Sequence, residues 1–132
     1  MVEPPQLKPV RVIRYGDGAT LWSSQAGGRG VLVAGTEPPD VVELWDWTLV
    51  PGDHHVSEAH SPGTKELVQV QLGTIAVDVA DQSVSLGAGD SVTFPGDVAH
   101  SYANPGTQAA RFSLAVFQPG VGSGFRPEVA HA

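Results

Sequence analysis

Apolar and polar residues alternate over short segments of this chain, and turns rich in glycine and proline separate the segments. A period of two is typical of β-strands, in which successive side chains point to opposite faces of a sheet. No segment shows a sustained helical period of apolar residues. The pattern therefore predicts an all-β protein, an antiparallel sandwich or barrel. The predicted strands cover residues 10–15, 31–34, 41–50, 67–72, 74–79, 83–86, 91–94 and 109–117.

Length and composition place these strands in one domain. A chain of 132 residues is long enough to bury a single core. Its 16 glycines and 11 prolines fall between the apolar runs, which indicates many turns that join many strands. Residues 1–9 contain three prolines and predict a flexible lead-in. We expect the barrel domain to cover residues 10–118 and a tail to follow over 119–132.

Charge and residue usage narrow the range of partners. The chain has 7 Lys and Arg against 14 Asp and Glu, a net charge of -7, so we expect no nucleic-acid binding by this chain alone. The absence of cysteine excludes disulfides and thiol chemistry. No apolar run is long enough to span a membrane and no signal-peptide pattern is present, so we expect no membrane partner and a cytoplasmic protein. The glycine-rich stretch 26–30 precedes no helix pattern and is not predicted to bind phosphate.

Several ionisable residues occupy strand positions that are expected to face inward. On extended chain, Glu58 and His60 share one face, and Glu66 shares a face with the apolar residues that follow it. His100 and Tyr102 share a face in the same way. Burying carboxylates and imidazoles costs free energy unless a metal, a hydrogen bond or a ligand satisfies them. The inward side of the barrel is therefore predicted to be a site.

Two stretches resemble the motifs of a known family. Residues 52–73 resemble the first cupin motif, which is a glycine, five residues, His-x-His, a short gap, a glutamate, six residues and a glycine. Residues 89–104 resemble the second, which is a glycine, five residues, Pro-x-Gly, two residues, a histidine, three residues and an asparagine. Glu58 stands in place of the first histidine, and Asp97 in place of the glycine after the proline. The resemblance implies the cupin fold, an all-β antiparallel double-sheet jelly-roll barrel.

The same resemblance implies a metal site. It assigns His60, Glu66 and His100 as metal ligands, with Glu58 in a fourth place. Two imidazoles with one or two carboxylates suit Fe, Mn, Ni, Zn or Cu about equally well. In the alternative without a metal, these side chains bond one another or a ligand, and repulsion between Glu58 and Glu66 leaves one of them protonated.

A small molecule is expected inside the barrel, beside these ligands. Trp45 and Trp47 share a strand face, and we interpret them first as aromatic core and alternatively as a wall that stacks on a ligand. His54 and His55 adjoin a turn and are interpreted as surface residues, with His54 as a reserve metal ligand. The expected ligand-binding residues are Glu58, His60, His100, Tyr102, Trp45, Trp47 and Phe94.

A second resemblance concerns the role of the chain. Residues 42–52, 58–67 and 94–107 are similar to the C-terminal sensor half of Xre-type helix-turn-helix regulators. This implies the effector-sensing domain of a bacterial transcriptional regulator, either excised or free-standing, because no helix pair can be drawn in the chain. The alternative is a metal-dependent cupin dioxygenase or isomerase that acts on a small acid or sugar derivative, with Glu58 as a general base.

We also expect a homodimer. The edge strands of an open two-sheet barrel need covering, and the predicted strand at 10–15 could add to a neighbour's sheet. Regulators that read two half-sites also need two-fold symmetry.

Overall fold

The computed structural model describes residues 9–121, and all the regular structure in this range is β-strand. The expected lead-in and tail therefore fall mostly outside the described residues, and the domain limits stay predictions. Within the described range no helix is long and apolar enough to cross a membrane. The strands are β1 (Ala19–Ser23), β2 (Arg29–Gly35), β3 (Val41–Leu49), β4 (His54–Ser57), β5 (Lys65–Leu72), β6 (Thr74–Val79), β7 (Gln82–Gly87), β8 (Ser91–Pro95), β9 (His100–Ala103) and β10 (Ala110–Gln118).

The strands form two sheets. The larger has six strands in the order β1-β2-β3-β10-β5-β8, and the smaller has four in the order β4-β9-β6-β7. Neighbouring strands are antiparallel in both sheets. The predicted all-β, antiparallel double-sheet jelly roll is confirmed.

The core lies between the sheets and is centred on β10. This strand pairs with β3 on one side and with β5 on the other. Phe112 and Leu114 on β10 are fully buried, and the smaller sheet contributes Ile75, Val77 and Tyr102 to the same core. Full burial of a side chain of this size contributes about 1.5–3 kcal/mol. Alternation along β10 therefore fixes which face of the larger sheet is internal.

The prediction of a strand at 10–15 is wrong. This segment is irregular and exposed, and the first strand begins at Ala19, in a stretch for which no strand is predicted. The pairing position beside β2 is taken by β1, which leaves no place there for residues 10–15. Gly18 lies so close to β2 that a Cβ at this position would be 2.8 Å from the carbonyl oxygen of Leu32. The chain at Gly18, just before β1, thus lies against the sheet without extending it.

Asn104 secures the turn that follows β9. Its Nδ2 donates to the carbonyl oxygens of Leu49 and Gln108, each at 2.8 Å, and its Oδ1 accepts from the N–H of Gly106 at 2.9 Å. The buried amide is thereby satisfied by backbone groups of β3 and of the loop that follows β9. Asn104 helps to hold the end of β9, the strand that begins with His100.

Candidate metal centre

Three potential metal ligands meet between the two sheets. Glu66 projects from β5 of the larger sheet, His100 begins β9 of the smaller sheet, and His60 lies on the loop between β4 and β5. One ligand atom from each lies within 4.8 Å of the others. Glu66 and His100 are buried, and His60 is half-buried. The fold therefore brings together the three ligands that the cupin resemblance implies.

Backbone contacts hold the loop of His60 against the turn before β9. The N–H of His60 donates to the carbonyl oxygen of Gly96 at 2.9 Å. The N–H of Gly96 in turn donates to the carbonyl oxygen of Thr64 at 2.8 Å. Asp97 accepts from the N–H of Gly63 at 3.0 Å, which gives this departure from the cupin motif a structural role. A Cβ at Gly96 would come within 2.8 Å of Glu66 Oε2, so close packing of the turn requires glycine there.

The facing atoms of the three side chains converge on one point. Glu66 Oε2 lies 2.8 Å from His100 Nε2 and 3.3 Å from His60 Nε2. Nevertheless, neither Glu66 Oε2 nor His100 Nε2 has an aligned hydrogen-bond partner among residues 9–121. Buried polar atoms without a partner are costly and rare. An ion at their common focus would satisfy both atoms, so the residues present fit a divalent metal.

Neighbouring groups orient two of the ligands. His100 Nδ1 lies 2.8 Å from the carbonyl oxygen of Val98, which can only accept, so Nδ1 carries the proton and Nε2 is left with its lone pair in the neutral ring. The hydroxyl of Tyr102 donates to Glu66 Oε1, which leaves Oε2 to face the histidines. Supporting hydrogen bonds of this kind are typical of metal ligands.

Electrostatics make Glu66 the anion of the cluster. Burial by itself raises the pKa of Glu66, but its contacts with His100 and His60 outweigh burial and lower the pKa. Burial lowers the pKa of His100, and the contact with Glu66 outweighs this and raises it. Burial, followed by the charge of Glu66, raises the pKa of Tyr102 well above its usual value, so its hydroxyl remains a donor.

Glu58 does not join the other three residues. β4 ends at Ser57, so the expectation that Glu58 and His60 share the inward face of one strand is wrong. Glu58 is exposed in the loop, and the cluster contains three ligands. The repulsion between Glu58 and Glu66 that was considered for a metal-free site therefore does not arise.

The other predicted ligand-binding residues surround the cluster or lie deeper in the core. The ring centroid of Phe94 is 5.2 Å from that of His100, and Tyr102 lies 5.8 Å from the same ring. Trp45 and Trp47 are buried in the core, as their first interpretation required. Trp47 Nε1 is nevertheless buried without a hydrogen-bond partner in the described part of the chain.

His55 is half-buried, which its interpretation as a surface residue did not predict, whereas His54 is exposed as expected. The His55 ring is half-buried, with its centroid 4.8 Å from Trp47 and a parallel orientation to Tyr102 at 6.4 Å. The sequence carried no signal for this position, because alternation from the apolar Val56 would turn His55 outward, whereas Val56 is exposed in the structure. His55 therefore extends the aromatic surroundings of Tyr102.

Replacing Tyr102 by phenylalanine should weaken metal binding by about 10–100-fold, because the ring stays in the core and only the hydrogen bond to Glu66 is lost. Competition with a fluorescent chelator measures the affinity. Tyr15→Phe is the matched control, since Tyr15 is exposed and lies outside the cluster. Equal affinities in the two variants would show that the hydroxyl does not tune the site.

Comparison with known proteins agrees with this geometry. Residues 45–117 match the family described as Cupin domain, Cupin_2, over more than half of the chain. The chain belongs to the cupin family. The comparison with curated proteins finds no match.

Three solved structures resemble this chain in fold. The Cupin_2 domain of an XRE-family transcriptional regulator from Enterobacter cloacae is 26% identical, with a TM-score of 0.58 over 59% of this chain and 82% of that one. An HTH_3-family transcriptional regulator from Vibrio cholerae is 25% identical, with a TM-score of 0.58 over 68% of this chain and 51% of that one. This cupin chain therefore spans about half of the Vibrio protein. A predicted oxalate decarboxylase from Thermotoga maritima, at 20% identity and a TM-score of 0.59 over 81% and 97% of the two chains, shares the fold.

Proposed function

We propose that this cupin domain binds a small polar or anionic molecule inside the barrel and serves as the effector-sensing part of a transcriptional regulator. The convergence of Glu66, His60 and His100 on one point carries the proposal. Three protein ligands leave coordination positions open on a bound Fe, Mn, Ni, Zn or Cu ion. Ligand oxygens would meet the cluster at these positions, beside Phe94 and Tyr102.

One observation supports the sensor role over a catalytic one. Of the three structures described above, the cupin domain of an XRE-family regulator has the highest sequence identity to this chain. The net charge of -7 disfavours contact with DNA by this chain, so a fused domain would read the DNA. Ligand binding would act by shifting the population of one dimer arrangement, inside the cytoplasm where the regulated DNA lies.

A metal-dependent dioxygenase or isomerase is the second candidate. A three-ligand site that leaves positions open for substrate and water favours it. The exposed position of Glu58 weighs against the general-base role that this hypothesis gave it. In an enzyme the metal would polarise a bound carbonyl or activate oxygen, whereas the protein residues described here hold and orient that ion.

We expect one divalent ion per chain in the protein as purified from cells, because the cluster offers an anionic oxygen and two imidazole nitrogens. Elemental analysis with native mass spectrometry reports the ion, any retained ligand and the oligomeric state together. Protein free of metal and ligand that also takes up neither Zn²⁺ nor Mn²⁺ would overturn the proposed site. If the protein converted a small acid and lost this activity when His100 was replaced, the conclusion would change from a sensor to an enzyme.

We further propose a homodimer that uses the outer face of the larger sheet. Leu44 and Leu67 are exposed and flank Ala115 in adjacent strands, and Val42 lies opposite Phe117 in the next row. Adjacent exposed apolar residues of this kind mark interaction surfaces. Sedimentation should therefore show a dimer at tens of micromolar, and Leu44→Glu should dissociate it. A wild-type monomer at that concentration would contradict the proposal.

A further inference from the structure

A groove of about 470 Å³ lies on the outside of the larger sheet, away from the metal centre. Val31 and Val33 of β2 line it, and the irregular segment 13–18 contributes a wall. Asp46 also lines the groove and alternates with the buried Trp45 along β3, so it points away from the core. The groove and the metal centre therefore lie on opposite sides of the sheet.

Positive charge is concentrated at this groove in an otherwise acidic chain. Arg14 and Arg29 line it, and neither guanidinium forms an ion pair or side-chain hydrogen bond within residues 9–121. The acidic lining residue, Asp46, accepts two hydrogen bonds from Arg111, at 2.9 and 2.6 Å. Because Arg111 offsets Asp46, the charges of Arg14 and Arg29 remain uncompensated at the groove.

The other residues that line the groove suit the apolar part of a ligand. Ile13, Val31 and Val33 present aliphatic side chains, and the exposed ring of Tyr15 stands at the wall. A volume of about 300–1,000 Å³ with a few polar groups on an apolar lining is typical of small-molecule sites. The planar guanidinium group matches the paired oxygens of a carboxylate or phosphate.

We propose that this groove is a second binding site, separate from the metal centre, for a small organic anion. The oxyanion group of the ligand contacts Arg14 and Arg29, and its apolar body lies on Val31 and Val33 beside Tyr15. Neither the metal nor the effector of the inner site is required, so this site and the function proposed above succeed or fail separately.

The test uses 8-anilinonaphthalene-1-sulfonate, an aromatic anion, and N-phenyl-1-naphthylamine, which has a similar aromatic body without the charge. The wild-type chain should bind the anion, and the double variant Arg14→Gln, Arg29→Gln should bind it at least about tenfold more weakly, since each arginine offers a charge-assisted hydrogen bond. Binding of the neutral probe should be the same in both proteins. Fluorescence titration measures the affinities.

Arg11→Gln is the matched control, because Arg11 is held by Glu37 and by the carbonyl oxygen of Gly35 and does not line the groove. It should bind the anion like the wild type. Amide NMR shifts on adding the anion should cluster at 13–20 and 29–33. Unchanged affinity in the double variant, an equal loss in Arg11→Gln, or shifts centred on His100 would each overturn the proposal. Thermal midpoints of the exposed arginine variants confirm that they are folded.

Discussion

Replacing His100 by alanine is expected to abolish stoichiometric metal binding while the strands remain folded. His100 supplies one of the three ligand atoms, and its Nε2 has no aligned hydrogen-bond partner in the described residues. Removing a group that merely supports a metal ligand lowers affinity by about 10–100-fold, so removing the ligand itself should lower it by about 100-fold or more. Elemental analysis after dialysis measures the metal, and far-UV circular dichroism measures folding.

Two further variants make this result interpretable. His54→Ala is the matched control, because His54 is an exposed histidine outside the cluster and should keep the ion. His60→Ala removes a ligand that is less buried than His100, so it separates the loss of a ligand from the loss of packing. Metal retained in both His60→Ala and His100→Ala, or lost in His54→Ala, would show that the ion is held elsewhere.

Most strands could be predicted from alternation, because a sheet with one buried face imposes a period of two on each strand. The predicted segment 74–79 coincides with β6, the segment 91–94 ends one residue before β8 does, and the segment 109–117 begins and ends one residue before β10. These strands carry the apolar rows that form the core. A strand with one buried face therefore shows alternating apolar and polar residues in its sequence.

Alternation does not predict strands correctly in a segment that buries neither of its faces. Residues 10–15 are rich in apolar side chains that remain exposed, and local sequence cannot separate such a segment from a strand. The place it would have taken beside β2 belongs to β1, which lies in a stretch where turn residues dominate. Tertiary contacts, and not the local sequence pattern, determine which of the two neighbouring segments pairs with β2.

The proximity of His60, Glu66 and His100 follows from the cupin resemblance and only partly from strand geometry. Glu66 faces inward on β5 because it alternates with the exposed Lys65 and Leu67. His60 instead lies in a loop, where side chains two apart need not share a face, and Glu58 therefore points to solvent. The cupin resemblance placed His60 through its position in the first motif after Gly52, which does not depend on the local backbone.

Replacing Leu114 by alanine should lower the free energy of unfolding by about 2–5 kcal/mol. Leu114 has 0% exposure and lies at the middle of β10, opposite Trp45 on β3 and Val68 on β5. Truncation removes buried methyl groups and leaves a cavity that rigid strands on both sides cannot close. Urea denaturation of wild type and variant, both with metal removed, measures the difference without any contribution from a bound ion.

The matched substitution is Leu72→Ala at the end of β5, where the leucine is 56% exposed. Because exposed substitutions away from special features usually change stability by about 0.5 kcal/mol or less, Leu72→Ala should leave the denaturation midpoint nearly unchanged. Leu114→Ala should still bind metal once folded, since Leu114 contributes no ligand atom to the cluster. Equal effects of the two substitutions would contradict a core centred on β10, because burial of the side chain would then no longer determine the cost.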